Sequence, residues 1–554
     1  MVWLRVPPVL FFCIPLFFAR ALHAQTAPNT YWVQFTDKNT TPYSLAQPDE
    51  FLSQRAIQRR TTQGIAYDEL DLPVDPAYIA LVAATGAEVL NRSKWFNAVT
   101  IRTSEEGVLA AVQALPFVST IRSSSSGIAS APRRDKFASA PVLEFRDGEP
   151  EDYGTSFTQI AMLNGHQLHA LGAQGQGMLI GILDSGFQGV DSSLAFAGVR
   201  DRNGIKLTRD LVVHDGDVFD DHWHGRSVFS CLAGALEGQL LGTAPQADYV
   251  LLRTEDVNSE YPVEEDHWIS GAELADSLGC DVLNTSLGYT VFDDSTMDHT
   301  IDQLDGQTIR MSIAANIASR KGMIPVHSAG NRGDDEWYYI SIPADAIDVL
   351  TVGAVGDVEN YAAFSSHGPS ADGRVKPDVC AMGWGTTILR ADTDSVMYAN
   401  GTSFASPIVA GLVACLWQLH PDRTAAEIMD AVRRSASFFN TPTDSLGHGV
   451  PDFAAAHAWL QMTASIVDKE KGTTKVWPNP FTDILHVQDD RLAPGTAYVA
   501  LFDGAGRHVR SMRVAVQPQG TLQLTGLEAL PAGYLVLKVA QGDRVIQQRV
   551  LHTP

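Results

Sequence analysis

The sequence predicts an α/β domain with a parallel sheet and helices on both faces, preceded by a small α+β domain and followed by a small β-sandwich. Continuous apolar runs recur between residues 153 and 465, for example at 178–183, as in strands that are buried on both faces. Helical stretches such as 273–278 and 308–320 separate these runs, which favours a parallel sheet with helices on both sides. After residue 475, short alternating strands with Gly- or Pro-bearing turns indicate the sandwich.

The first 24 residues have the features of a secretory signal peptide. A basic residue, Arg5, precedes an apolar run, and the segment ends on small residues. Pro15 interrupts the run, which is too short to be a good membrane span, and no other stretch is expected to approach the length of a spanning helix. We therefore expect the mature chain to be exported, either secreted or held at the cell surface, with no membrane span.

Composition narrows the classes of function. The 554 residues allow three or four domains, and the net charge of −24 argues against a nucleic-acid partner. In an oxidising compartment, the cysteines that remain after the signal peptide could pair or stay as buried free thiols, and their spacing fits no metal motif. These cysteines are Cys231, Cys280, Cys380 and Cys415.

Residues 25–122 interleave helical and strand-like segments, which predicts the small α+β domain. Its first helix is expected at 48–60 and its second at 77–85. The segment 123–152 is polar and rich in Ser and Pro, so it is predicted to be a linker. It contains the basic pair Arg133 and Arg134.

Polar residues lie beside the apolar runs of the central domain. Asp184 comes directly after the run 178–183, His224 precedes an apolar helical segment, and Asn331 follows another strand-like run. Active groups gather at the carboxyl ends of strands in parallel sheets. There an aspartate can orient a histidine, a histidine can act as general base, and an amide can donate to an oxyanion. Each residue alone is also explained by a turn or a surface position.

Two alternatives concern His224. His222 is a rival for the base, and the two histidines could ligate a metal with Asp220 or Asp221. No third ligand stands at a telling spacing, so we predict no metal site here. Acidic loops at 215–217 and 293–294 could bind Ca²⁺, although acidic loops are more often solvated, and no cofactor is expected to be required.

Ser403 lies in the segment 399–408, which reads as a Gly-containing turn leading into an apolar helix. Backbone N–H groups at a helix start are unpaired and favour a developing negative charge, which makes Ser403 a candidate nucleophile. The alternative is a serine that only caps the helix.

The motifs around these residues resemble those of subtilisin-like serine peptidases. Residues 401–407, Gly-Thr-Ser-Phe-Ala-Ser-Pro, match the serine motif throughout, and residues 182–186, Ile-Leu-Asp-Ser-Gly, resemble the aspartate motif. Residues 224–228, His-Gly-Arg-Ser-Val, resemble the histidine motif with Arg226 where Thr is usual, and they place His224 on the motif instead of His222. The order Asp, His, Ser along the chain is that of subtilisin.

The resemblance implies a site for peptide hydrolysis. It assigns the catalytic triad to Asp184, His224 and Ser403 and the oxyanion hole to Asn331. It also implies that two segments flank an extended peptide and pair with its backbone. Their residues are Ser286, Leu287 and Gly288, and Ala329 and Gly330.

The flanking domains extend the resemblance. The domain at 25–122 stands where the family has an inhibitory propeptide that assists folding, and the alternative is an ordinary accessory domain. Residues 476–554, after a linker at 466–475, resemble the C-terminal sorting domain of type IX secretion in Bacteroidetes, in part through Trp-Pro-Asn-Pro-Phe at 477–481. The alternative is a substrate-binding β-module.

The sequence thus predicts a secreted serine endopeptidase made as a zymogen, with its peptidase domain at 153–465. Its expected partners are protein or peptide substrates and the type IX secretion machinery. The alternative function is a non-catalytic surface adhesin on a peptidase scaffold. A scaffold without activity has no reason to keep all four residues that the resemblance assigns to catalysis, which argues against the adhesin.

Overall fold

A computed structural model describes residues 29–125, 137, 152–391, 393–463, 474–503, 507–542 and 544–553. The predicted signal peptide and most of both predicted linkers, including Arg133 and Arg134, lie outside the described residues. Within the described residues, an antiparallel α+β domain, a domain on a parallel sheet and a domain of antiparallel sheets follow one another along the chain. The predicted fold class is therefore confirmed.

The N-terminal domain is a four-stranded antiparallel sheet with three α-helices. Its elements are β1 (Thr30–Phe35), α1 (Gln54–Gln63), α2 (Pro76–Ala84), β2 (Glu88–Ser93), β3 (Ala98–Arg102), α3 (Glu106–Gln113) and β4 (Val118–Ser123), and the strand order is β2-β3-β1-β4. The helix predicted at 48–60 is wrong at its start. Only a 3₁₀ turn occupies Pro48–Glu50, because Ser53 caps a new helix by accepting a hydrogen bond from the N–H of Ala56.

The central domain contains the parallel sheet. Its elements are α4 (Phe157–Ala161), α5 (Gly165–Ala170), β5 (Leu179–Asp184), α6 (Ala197–Asp201), β6 (Ile205–Asp210), α7 (His224–Ala233), β7 (Ala235–Leu236), β8 (Leu240–Leu241), β9 (Asp248–Arg253), α8 (Val263–Leu278), β10 (Val282–Thr285), α9 (Arg310–Arg320), β11 (Ile324–Ser328), β12 (Leu350–Val355), β13 (Val379–Met382), β14 (Thr386–Leu389), β15 (Val396–Ala399), α10 (Thr402–Leu419), α11 (Ala425–Ser435) and α12 (Phe453–Thr463). Strands β5, β10, β11, β12 and β13 are buried at every residue, which explains why their sequences are largely continuous apolar runs.

The order of the parallel sheet, β13-β12-β11-β10-β5-β9-β6, reverses at β5. Strands β6 and β9 lie on one side of β5, and β10 to β13 lie on the other. At such a switch point the connections leave in opposite directions and open a crevice outside the carboxyl ends of the strands. Asp184 at the end of β5 and the residues after Thr285 at the end of β10 border this crevice.

Helix α10 lies in the core of the central domain, and residues 402–417 are all buried. A Cβ on Gly411 would lie 2.0 Å from Oγ1 of Thr243, so only glycine permits this close packing. By length and composition alone α10 is long and apolar enough to cross a membrane, and 89% of that stretch is buried inside the protein. The sequence-based statement that no second stretch approaches a spanning length is thus wrong for α10.

The C-terminal domain consists of two antiparallel sheets. Its strands are β16 (Lys475–Trp477), β17 (Leu485–Gln488), β18 (Gly495–Phe502), β19 (His508–Val516), β20 (Thr521–Leu524), β21 (Gly533–Gln541) and β22 (Arg544–His552). The sheets have the orders β16-β17-β20 and β19-β18-β21-β22 and contribute to one apolar core. This arrangement confirms the predicted small all-β domain.

The N-terminal domain docks on α8 through buried polar contacts. The carboxylate of Glu273 accepts hydrogen bonds from Oγ of Ser93 (2.5 Å) and from the backbone N–H groups of Lys94 (2.6 Å) and Trp95 (3.1 Å). Burial raises the pKa of Glu273 to about 7, although these hydrogen bonds favour the carboxylate. Glu273 of the central domain thus binds three consecutive residues of the N-terminal domain.

Asp276, on the next turn of α8, forms ion pairs with three cations of the N-terminal domain. The nitrogen–oxygen distances are 2.6 Å to Arg59, 3.0 Å to Arg60 and 2.9 Å to Lys94. Burial works against the charge of Asp276, but the three cations outweigh it and hold the pKa of this carboxyl well below its usual range. Docking therefore depends on buried charges that are paired across the interface.

Candidate active site

Asp184 and His224 meet at the switch point of the sheet. Asp184 is the last residue of β5, whereas the sequence predicted that this strand ends one residue earlier. His224 is the first residue of α7. Nδ1 of His224 lies 2.8 Å from Oδ1 of Asp184, and both side chains are buried. A carboxylate acceptor at Nδ1 keeps the proton on that nitrogen and leaves Nε2 to accept a proton from another group.

Glycine after the histidine allows this pair to form. A Cβ on Gly225 would lie 2.2 Å from the carbonyl oxygen of Gly186 and 3.0 Å from Cβ of Asp184. Arg226, which stands where the family has Thr, is buried and donates to the carbonyl oxygens of Gln188 (3.2 Å) and Thr393 (3.1 Å). The unusual arginine therefore ties two loops to the start of α7.

Ser403 is the second residue of α10 and is 7% exposed. Its Oγ donates to the carbonyl oxygen of Ser286 at 3.2 Å, so in this structure the hydroxyl is turned toward the segment after β10. The ring of the next residue, Phe404, has its centroid 5.9 Å from that of His224, which brings the start of α10 beside the imidazole. The Ser403 hydroxyl thus makes its hydrogen bond to Ser286 and not to His224.

A second contact joins Ser403 to Ser286. Pro407 lies one helical turn after Ser403 and has no N–H, so the Ser403 carbonyl loses its normal intrahelical donor. Oγ of Ser286 donates to that carbonyl at 2.8 Å and replaces the missing donor. Asn284 supports this contact, because its Nδ2 lies 3.2 Å from Oγ of Ser286 and its Oδ1 accepts from Oγ of Ser406 at 2.9 Å.

Asn331 is held by the residue before Ser403. Its Oδ1 accepts hydrogen bonds from the backbone N–H (2.8 Å) and from Oγ1 (2.9 Å) of Thr402. Both contacts engage the amide oxygen, so Nδ2 is the group left for a ligand. Asn331 is exposed, so its amide can be reached from solvent.

The two segments assigned to substrate differ in their free backbone groups. Ser286 and Leu287 are buried and Gly288 is exposed, and the backbone of Leu287 and Gly288 forms no hydrogen bond within the part of the chain that the structure describes. By contrast, the N–H of Ala329 donates to Val352 and the N–H of Gly330 donates to Oγ1 of Thr402. Leu287 and Gly288 therefore have free backbone groups, whereas Ala329 and Gly330 have no free N–H.

Aromatic rings that were not predicted from the sequence surround His224. The ring centroid of Phe137 lies 4.1 Å from that of His224 and 5.4 Å from that of His222. Trp223 makes an edge contact with His224 at 5.8 Å. Phe137 belongs to the segment predicted to be a linker, where its position follows no helical or strand-like pattern.

The structure shows what His222 contacts, which bears on the two alternatives raised for it. Nδ1 of His222 contacts Oγ of Ser185 at 3.1 Å and lies 3.3 Å from the N–H of His224, so this ring supports the start of α7. Burial raises the pKa of Asp221 to about 6, although Arg253 lies 2.9 Å away and counters the effect. Neither residue belongs to a group of three or more side chains that could hold a metal in the described part of the chain.

The acidic loops considered for Ca²⁺ form local turns. Oδ1 of Asp215 accepts from the N–H of Asp217 (3.0 Å), and Oδ1 of Asp294 accepts from the N–H of Thr296 (3.0 Å). Among the described residues, the group whose ligand atoms lie close enough to hold an ion, within 4.8 Å of one another, is Glu255, Glu260 and Glu264.

The four cysteines that the structure describes are buried free thiols. Burial raises the pKa of the Cys231 thiol to about 12, which keeps it protonated and unreactive at neutral pH. Of the two possibilities left open by the sequence, free thiols and disulfides, the structure has the first.

Three family models match the chain. Residues 175–449 match the Subtilase family, residues 30–138 match the Peptidase S8 propeptide domain of Bacteroidota, and residues 475–552 match the secretion system C-terminal sorting domain. The end of the propeptide match falls one residue after Phe137.

The chain is similar to proteases and to solved structures. The subtilisin-like protease PopC of Myxococcus xanthus is 30% identical over 287 residues, which are 48% of this chain and 57% of the relative. Subtilisin E of Bacillus subtilis is 28% identical over 284 residues, 50% of this chain and 65% of the relative, so the chain spans less than two thirds of either protein. A crystal structure of MycP1 from the ESX-1 type VII secretion system is 23% identical with a TM-score of 0.45, over 60% of this chain and 91% of that one.

Proposed function

Because the chain belongs to the subtilase family of serine peptidases, with a Bacteroidota-type propeptide domain before the peptidase domain and a secretion-system sorting domain after it, we propose that it is an exported serine endopeptidase made as a zymogen. The family matches confirm the resemblances that were predicted from the sequence for the propeptide domain, the peptidase domain and the sorting domain. The alternatives of an accessory domain and a substrate-binding β-module are replaced by the propeptide and the sorting domain.

In the proposed reaction, Oγ of Ser403 attacks the carbonyl carbon of the scissile peptide bond. Nε2 of His224 takes the hydroxyl proton and then delivers it to the leaving amine. Asp184 holds the imidazole with the proton on Nδ1 and stabilises the imidazolium that forms. Water then attacks the acyl-enzyme with His224 again as base, which releases the second product and restores Ser403.

The observation that carries this proposal is the buried contact of 2.8 Å between Asp184 and His224, beside the first turn of the helix that bears Ser403. A buried aspartate paired with a histidine at a sheet switch point is the arrangement needed for a base that must become an imidazolium. The backbone N–H of Ser403, in the first turn of α10, adds a donor that favours the negative charge of a tetrahedral intermediate.

We assign the oxyanion hole to Nδ2 of Asn331 and the backbone N–H of Ser403. Thr402 engages the other atom of the Asn331 amide, so the donor is oriented before substrate arrives and needs little reorganisation. Segment 286–288 is assigned to pairing with an extended substrate, since Leu287 and Gly288 have free backbone groups beside Ser403.

Maturation is proposed to cut the chain between residues 122 and 152. Phe137 touches the imidazole of His224, which supports the idea that the tail of the propeptide domain runs through the cleft. Cleavage would be performed by Ser403 itself or by another enzyme at Arg133–Arg134.

Expression of wild type and Ser403→Ala, followed by N-terminal sequencing, tests both steps. We expect wild type to lose the propeptide and to hydrolyse peptides, and Ser403→Ala to remain joined to its propeptide and inactive. A processed Ser403→Ala chain would assign maturation to another enzyme, whereas hydrolysis by that variant within tenfold of wild type would refute the nucleophile.

Export is proposed to use a signal peptide at 1–24 and then the type IX machinery, which would recognise the sorting domain. The match over residues 475–552 supports this route. Removal of residues 475–554 should leave an active peptidase inside the cell envelope, and undiminished activity in the medium would contradict the assignment.

A further inference from the structure

We propose that the matured peptidase has a second binding site for protein substrates, at the edge of the parallel sheet opposite the triad, and that this site takes a helix with two arginines four residues apart. In this structure α1 occupies it through Arg55 and Arg59. The site is called here the basal arginine site and is defined by Asp276, Asp281 and the carbonyl oxygens of Gly177, Gly279 and Cys280. The inference rests on the proposed function, because α1 leaves with the propeptide before another helix can bind.

Arg55 of α1 binds at the amino ends of β5 and β10. Its Nε donates to the carbonyl oxygen of Gly279 (2.9 Å), and a terminal guanidinium nitrogen donates to the carbonyl oxygen of Gly177 (2.8 Å). The same nitrogen pairs with the carboxylate of Asp281, which also accepts from the N–H of Leu179 (2.9 Å). One guanidinium therefore joins the segments that lead into two neighbouring strands of the sheet.

The carboxyl end of α8 supplies the rest of the site. The N–H of Ser53, which caps α1, donates to the carbonyl oxygen of Ser277 (2.9 Å). Arg59 pairs with Asp276 and also donates to the carbonyl oxygen of Cys280. The last carbonyls of a helix lack intrahelical donors and carry partial negative charge, and α8 has no basic residue in its last turn. Helix α1 thus provides the donors and the cations that the end of α8 lacks.

Helix α1 stands outside the core of its own domain. The apolar core cluster of the propeptide domain, which includes Val33 and Val99, contains no residue of α1 among the described residues. Helix α1 itself has two apolar residues, Ala56 and Ile57. It is therefore held mainly by hydrogen bonds and ion pairs. Another helix with arginines at the same spacing can form these contacts, because side chains four residues apart lie on one helix face.

Departure of the propeptide leaves the basal arginine site without its cations. Asp276 lies in the last turn of α8, where the helix dipole disfavours a negative charge, and its three ion-pair partners belong to the propeptide domain. The vacated site therefore favours another cation. Leu179 and Asp184 are the two ends of β5, and a strand advances about 3.3 Å per residue, so the two edges are about 16 Å apart. A helix bound at the basal arginine site thus leaves the cleft open to the rest of the same substrate.

The test uses matured enzyme that intact-mass measurement shows to be free of propeptide, and a quenched fluorogenic casein fragment as substrate. One form of the substrate carries residues 50–66 of this chain on a Gly/Ser linker of about 60 residues, which spans about 40 Å on average. The matched form has Arg55→Gln and Arg59→Gln in that tag. We expect KM of the arginine-tagged substrate to be at least about tenfold below that of the glutamine-tagged one, with kcat unchanged, because the tag raises the local concentration of the fragment at the cleft.

Equal KM for the two tagged substrates would overturn the inference and leave the peptidase function standing. Inhibition of cleavage of the untagged fragment by free peptide 50–66 would also overturn it, because the peptide would then bind in the cleft. Failure to cleave the untagged fragment at all would instead refute the proposed function. The two failures are therefore distinguishable in one experiment.

A pair of matched enzyme variants locates the site. Asp281→Asn keeps an oxygen for the N–H of Leu179 but removes the charge opposite Arg55, so it should reduce the KM difference between the tagged substrates to below about threefold and leave the untagged fragment unaffected. The control is Asp248→Asn, because Asp248 begins β9 at the same edge and pairs with Arg202 of its own domain (2.7 Å). An unchanged difference in Asp281→Asn, or an equal fall in Asp248→Asn, would overturn the assignment. If Asp281→Asn does not mature, the two tagged substrates with wild-type enzyme decide the question.

Discussion

Substitution of Glu273 tests how the propeptide domain is held on the peptidase domain. The three donors that converge on its carboxylate all come from the propeptide domain: Oγ of Ser93 and the N–H groups of Lys94 and Trp95. Glu273→Ala leaves these donors in a buried interface without an acceptor. Because the propeptide is proposed to inhibit the enzyme, the loss should appear as weaker inhibition.

The size of the effect follows from the number and kind of hydrogen bonds. A hydrogen bond to a charged group contributes about 1.5–3 kcal/mol, and a buried donor left without a partner costs about 1–3 kcal/mol. Three such bonds that act together give about 3–6 kcal/mol, since neighbouring terms are not fully additive. The inhibition constant of the propeptide should therefore rise by about 10²–10⁴-fold at pH 8, where Glu273 is ionised.

The assay is peptide hydrolysis by matured enzyme at increasing concentrations of released propeptide. Ser93→Ala in the propeptide removes one of the three donors and should raise the inhibition constant by about tenfold, which gives a result even if the Glu273 variant does not mature. Ser270→Ala is the matched control on the same helix, since Oγ of Ser270 makes one exposed contact with the propeptide domain, to the carbonyl of Arg92 (2.9 Å). A rise of less than about fivefold for Glu273→Ala would refute the reasoning.

Asn331→Ala should lower kcat by about 10²–10³-fold with little change in KM, a magnitude that was measured for this kind of donor in subtilisin itself, and an unchanged kcat would show that another group donates. Ser286→Ala should lower kcat and reduce the thermal unfolding midpoint, because Pro407 cannot replace the donor that Ser286 gives to the Ser403 carbonyl; an unaltered midpoint and kcat would contradict this. Inhibition by the propeptide should weaken as pH rises from 5 to 8: burial raises the pKa of Glu273 to about 7 in the docked state, so that state binds more protons than the separated one, and docking is strongest below this window. Glu273→Gln should remove this part of the pH dependence, and inhibition constants measured at both pH values would decide it.

The sequence was most informative where chemistry constrains several residues at once. The motifs around Asp184, His224 and Ser403 predicted their positions beside strand ends and a helix start, because a nucleophile, a base and an orienting carboxylate need fixed backbone around them. The contact of Phe137 with His224 was not predicted, since the segment around Phe137 has no periodic pattern and the contact depends on how one domain lies on another.

Other differences have local physical causes. The helix expected at 48–60 begins later because Ser53 offers its own cap, a competition that an apolar pattern does not reveal. Backbone pairing through Ala329 and Gly330 was expected from a motif, but their N–H groups are bonded inside the protein. Whether a backbone group is free depends on tertiary contacts, which a motif does not specify.

The central claim is that Ser403 is a nucleophile activated by His224 and Asp184. Its most direct test is reaction of the matured enzyme with a fluorophosphonate probe, followed by identification of the modified residue by mass spectrometry. The account predicts one adduct, on Ser403, that is absent from Ser403→Ala and strongly reduced in His224→Ala although both variants are folded. A folded, propeptide-free enzyme that stays unlabelled, or that carries the adduct on another residue, would contradict it.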